Sequence, residues 1–132
     1  DNTYITTNKR ISLGLCTKVA TEERNKIAGT VIRKREHYCC FDQVSTKIMA
    51  EGLMVQLGKK MTKENCAPIT VDDLTKVSFR ACQANEDPAK NNCFPTQKFK
   101  ELTDVFVSGS SIGVQDAVEG IIEGMFNLNQ AQ

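Results

Sequence analysis

Six cysteines, Cys16, Cys39, Cys40, Cys66, Cys82 and Cys93, and a single histidine, His37, carry most of the chemistry that the side chains of this chain could perform. Three uses are open to them: disulfide bridges, a metal site built from His37, Cys39, Cys40 and Cys66, or a thiol nucleophile activated by His37. Adjacent cysteines fit poorly into a closed tetrahedral zinc site, and the paired C-x-x-C spacing of such sites is missing. Nothing nearby is arranged to lower a thiol pKa, and each cysteine has a candidate partner, so a nucleophile is not indicated. An even count in 132 residues reads as three disulfides and an oxidising compartment.

The pairing follows in part from position. Cys82 and Cys93 enclose QANEDPAKNN, a run of turn residues, and are close enough to bond to each other. Cys39 and Cys40 end an extended segment, where neighbouring side chains point to opposite faces, so the two thiols must take different partners. They are expected to divide Cys16 and Cys66 between them. Alternation leaves both divisions open, with Cys16–Cys40 preferred.

No Ser-His-Asp set, glycine-rich phosphate loop, HExxH or carboxylate pair is visible, so no catalytic residue, cofactor or metal is expected and the chain does not read as an enzyme. Seventeen basic against sixteen acidic residues give a net charge of +1, too even a mixture for binding driven by phosphate neutralisation; nucleic acid is not an expected partner. The basic run in RKRE reads as a solvated strand end. No apolar stretch approaches the roughly 20 residues that span a bilayer as a helix.

The elements that position these cysteines can be read around residues 36–58. Phe41, Val44, Ile48 and Val55 fall on one helical stripe, with Met49, Leu53 and Leu57 widening it. Asp42 is the expected cap. Gly52 lies where a missing side chain would admit another backbone, and Gly58 is the expected stop. Upstream, residues 1–8 read as a polar arm or linker end. Ile11, Leu13 and Leu15 alternate as a strand, TEERNK reads as a turn, and residues 27–35 read as a second strand closing a hairpin.

Downstream, KKMTKEN reads as a polar connection. Thr70 caps a short helix that turns Leu74 and Val77 inward, with Phe79 as an anchor over them. Within the Cys82 to Cys93 loop, Gln83, Asn85, Glu86, Asp87 and Lys90 are polar candidates for contact with a partner. Pro95 opens a helix bearing Phe99, Leu102 and Phe106, and a last amphipathic helix carries Val114, Ala117, Val118, Ile121, Ile122 and Met125. Together these predict one disulfide-stabilised α+β domain over residues 9–132, a small antiparallel hairpin or sheet packed with three to four helices. The absence of an initiating Met suggests a processed or excised C-terminal piece of a larger protein.

One family resemblance runs through this pattern. A basic extended segment entering HYCCFD, a helix ending in QLG, then Cys66 and the L-x-x-x-x-F of Leu74 to Phe79, resembles the C-terminal part of TraN, the cysteine-rich outer-membrane mating-pair stabilisation proteins of F-type conjugation. It spans about Cys16 to Phe79, roughly half of the chain. The family's Trp-Gly after QLG is missing, and the Cys82 to Cys93 loop and the tail have no counterpart in its pattern. The resemblance implies a structural, protein-binding module of a type IV secretion apparatus at the periplasmic face or outer membrane of a Gram-negative cell. Its partners would be envelope proteins and the rest of the same protein. Since the recipient-recognising tip of such proteins lies upstream, the implied role is the donor-side base. Composition alone points instead to a free-standing secreted effector or inhibitor that binds one protein partner.

Overall fold

The computed structural model describes residues 2–109. The order of elements is α1 (Asn2–Ser12), β1 (Cys16–Ile27), β2 (Thr30–Cys40), α2 (Val44–Leu57), α3 (Val71–Leu74), α4 (Pro88–Asn91) and α5 (Thr96–Gly109). This is the expected small disulfide-stabilised α+β fold. Its antiparallel two-stranded sheet is joined by five helices among the described residues, two of them of four residues.

The N-terminal reading needs correction. Residues 9–15 are not a strand, since α1 runs from Asn2 to Ser12. It ends where Gly14 turns left-handed at φ 77°; the Gly14 N–H donates to the Ile11 carbonyl and the Leu15 N–H to that of Arg10. That pair of bonds is a glycine-terminated helix stop. The alternation of Ile11, Leu13 and Leu15 is therefore a helix end followed by its cap. TEERNK is not a turn either, because it lies inside β1.

The strands pair from Cys16 opposite Cys40 to Ile27 opposite Thr30, with an irregularity between Lys18 and Ala20. The reversal is the two-residue loop Ala28-Gly29, both at positive φ (53° and 81°), the geometry that matches strand twist in a tight hairpin. Beyond about residue 21 the ribbon carries the exposed residues Glu23, Arg24, Arg33, Lys34 and Arg35. Opposed charges such as Glu22 against Arg35 and Glu23 against Lys34 take the place of an apolar face.

Helix α2 is the centre of the core. Ile48, Met49, Ala50, Gly52, Leu53 and Met54 are buried, together with Phe41, Met61, Ile69, Phe94 and Leu102 from other segments. Val55 departs from the expected stripe and is 48% exposed, while Val44 is half-buried; the buried face is centred on Met49 and Leu53. Gln43, not Asp42, is the N-cap residue and its side chain makes no capping bond. Gly58 does end the helix, at φ 68°, with its N–H on the Val55 carbonyl and that of Lys59 on Met54.

Thr70 caps α3 as expected and completes a reciprocal capping box with Asp73. Leu74, Val77 and Phe79 are half-buried against the core. Pro95 stands one position before α5 and accepts the Phe99 N–H. Leu102 faces inward, whereas Phe99 is 42% exposed and meets Phe94 edge to face at 6.3 Å. The predicted last helix, from Val114 to Met125, lies outside the described residues.

Candidate functional site

The cysteines form three bridges: Cys16–Cys40, Cys39–Cys66 and Cys82–Cys93. Cys16 and Cys40 are direct partners in the strand register, so their bridge closes the base of the hairpin. Cys39, fully buried, points the other way and reaches Cys66 in the loop after α2. The alternation that forbids a shared partner thus connects one strand end to two segments. With the thiols oxidised, His37 has no thiolate beside it. Its Nε2 is buried 3.2 Å from Glu22 Oε1 without the alignment of a hydrogen bond. Among the described residues no group of three His, Cys, Asp or Glu is arranged to hold a metal ion.

Polar side chains tie further segments to the hairpin. Glu51 of α2 accepts from Thr17 Oγ1 of β1 at 2.8 Å and from Lys98 Nζ of α5 at 3.1 Å, so one carboxylate joins sheet, central helix and last described helix. Glu22 on the ribbon receives Lys63, from the loop that carries Cys66, and Arg24. Lys63 and then Arg24 hold its carboxyl down to about 2. Lys59 pairs with Asp73 and, with the Thr70 N–H, brings it to about 2 as well.

Gln56 is the polar residue that sequence reasoning missed. Although only 3% exposed, it donates Nε2–H to the Ser78 carbonyl at 2.8 Å and accepts the Ser78 N–H at 2.7 Å. The amide pairs like another strand with an otherwise unpaired backbone unit, which makes its burial tolerable. Phe94 was missed too. It sits between Cys93 and Pro95 in a polar stretch, and only the Cys82–Cys93 bridge and the backbone bonds to Arg80 and Cys82 carry it into the core.

Within the Cys82 to Cys93 loop the five candidate residues separate by role. Glu86 is held by both guanidinium nitrogens of Arg80, at 2.7 and 2.9 Å, and by the Gln83 N–H; Arg80, then that N–H, brings its carboxyl to about 2. Asp87 caps α4 by accepting from Ala89 and Lys90. These two shape the loop through those bonds. Gln83, Asn85, Asp87 and Lys90 are exposed and Glu86 is half-buried.

An open cleft of about 370 Å³ between β1 and α2 has Val19, Met54, Val55 and Met61 as its floor and lysines around it, but no paired carboxylates or nucleophile. No helix among the described residues is long and apolar enough to cross a membrane. Three bridges in so short a chain belong to an oxidising, non-cytoplasmic compartment. Compared with known proteins, the chain finds no match among family models, curated proteins or solved structures.

Proposed function

We propose that this chain is a structural and protein-interaction module of an outer-membrane mating-pair stabilisation protein, and that it serves as the donor-side base of that protein in conjugative type IV secretion. The observation that supports the reading is the HYCCFD stretch, with its two adjacent cysteines bonded to separate segments. In such a module the bridges hold a shape onto which neighbouring envelope proteins dock, and no reaction is needed. The missing Trp after QLG favours a second reading, a free-standing secreted module that binds one protein.

The test is to replace Cys39 and Cys40 by Ser in the donor and to measure mating into several recipient strains together with envelope levels of the full protein. A base predicts lower protein levels and reduced transfer to every recipient. A defect confined to some recipients at normal protein level would assign this chain to the recognition surface. A long cysteine-rich region upstream of Asp1 in the reading frame is expected under the first reading, and a signal peptide alone under the second.

A further inference from the structure

The cleft between β1 and α2 leaves apolar surface uncovered on the central helix. Val55, which lines it beside Val19, Met54 and Met61, is 48% exposed. The two methionines give this floor a surface that adapts to whatever packs on it. Of the lysines around the cleft, Lys59 is taken by Asp73, and Lys98 by Glu51 and Glu101. Lys60 is exposed and makes no ion pair among the described residues, and Lys18 comes only within 3.9 Å of Glu36. The cleft therefore offers an apolar floor and two cations with room for a carboxylate.

The sequence after α5 has the complementary character. Every Lys and Arg of the chain stands at or before Lys100, whereas the only charged side chains after Gly109 are Asp116, Glu119 and Glu123. Val114, Val118, Ile121, Ile122 and Met125 recur among those acids at helical spacing. An apolar stripe flanked by carboxylates is matched by an apolar floor flanked by lysines. The reach agrees as well. Lys98, in the first turn of α5, borders the cleft, and from it α5 rises about 16 Å to Gly109 at helical spacing. Residues 114–125 cover the same length, and residues 110–113 are enough chain for a reversal between antiparallel helices. A stripe returning along that length ends beside Lys98.

We propose that the cleft between β1 and α2 is the docking site of the chain's own acidic C-terminal stretch, residues 114–125, whose apolar stripe covers Val55 and whose carboxylates meet Lys18 and Lys60. This does not depend on the function proposed above. A segment tethered by a few residues stands at an effective concentration on the order of millimolar, so an open cleft that holds a free peptide weakly is filled by this one.

The full oxidised chain would be treated with a water-soluble carbodiimide, which joins amines only to carboxylates in contact with them, and the links read by mass spectrometry. Amide links from Lys18 or Lys60 to Asp116, Glu119 or Glu123 within single chains are expected. A glutamate-specific protease gives a second reading, because cleavage after Glu119 and Glu123 follows the population in which the stretch has left the cleft. Val55→Asp changes a half-exposed floor residue, leaves the circular dichroism of the body intact, and is expected to speed that cleavage at least about tenfold. Lys60→Glu breaks no ion pair among the described residues and should speed it too. Wild-type cleavage as fast as that of both variants, or no link from either lysine to the stretch, would overturn the proposal. Links found only in covalent dimers would overturn it in favour of a second copy as the occupant.

Discussion

The ring of Phe94 fills the space that a side chain at Gly52 would need: a Cβ built at position 52 would stand 2.2 Å from Phe94 Cζ and 2.6 Å from Cε2. Helix α2 therefore meets the segment after Cys93 with backbone against ring. Gly52→Ala must push out a ring that is 1% exposed and held from behind by the Cys82–Cys93 bridge. It is expected to cost about 1 to 3 kcal/mol, as overpacking does. Urea unfolding without reductant measures this, and Phe94→Leu in the same chain should recover part of the loss. A neutral Gly52→Ala would mean that the ring moves aside freely.

Gln56 gives a second prediction of similar size. Gln56→Met keeps the volume but leaves the N–H and carbonyl of Ser78 unpaired in a half-buried place. The expected loss is about 1 to 3 kcal/mol. A change well under 0.5 kcal/mol, roughly the level of an ordinary surface substitution, would show that water replaces the amide.

The bridges predict no titratable thiol among the six cysteines when the folded chain is denatured without reductant. Replacing Cys82 and Cys93 together by Ala should cost about 3 kcal/mol, from the loop entropy restored to the unfolded chain. Because the bridge also delivers Phe94 to the core, the loss should exceed that entropic figure. Two or more reactive thiols, or a loss near zero, would contradict the pairing.

Acid should lower the stability of the protein in a defined window. Glu22, Asp73 and Glu86 each have a carboxyl lowered to about 2 by Lys63, Lys59 and Arg80 respectively. A carboxyl depressed in the folded chain contributes stability that is complete above the ordinary range, about 4, and is lost as pH falls toward about 2. Urea midpoints should therefore decline across that interval. Lys59→Met and Arg80→Met should each flatten the decline, and a wild-type curve already flat there would remove these pairs from the account.

How much of this was legible in the sequence depended on whether one residue carried its own reason. Gly58, Thr70 and the Cys82 to Cys93 closure are local devices, and each behaves as its residue type dictates. Strand alternation required different partners for Cys39 and Cys40 but left open which of them takes Cys16, with Cys16–Cys40 preferred, and the bridges follow that preference. The ribbon was hidden because TEERNK shows no apolar period. Its reversal at Ala28-Gly29 lacks the Asn or Asp that usually marks such a turn. Five residues of alternation at Ile11 to Leu15 were too few to separate a strand from a helix end. Within the candidate site, Gln56 and Phe94 were illegible because their partners, Ser78 and Gly52, come from distant segments.

The base of the ribbon has a mechanical consequence. Cys16–Cys40 turns residues 16–40 into a covalent ring, and Cys39–Cys66 fastens that ring to the loop beyond the central helix. Tension applied at Ala28-Gly29 against the body can open the outer strand pairs, but it cannot unzip them past the ring closure. Nor can it peel the ring from the core by breaking hydrogen bonds alone. Pulling on the tip of the oxidised protein should give a short extension and then a stiff stop, and reductant should convert that stop into a much longer unravelling.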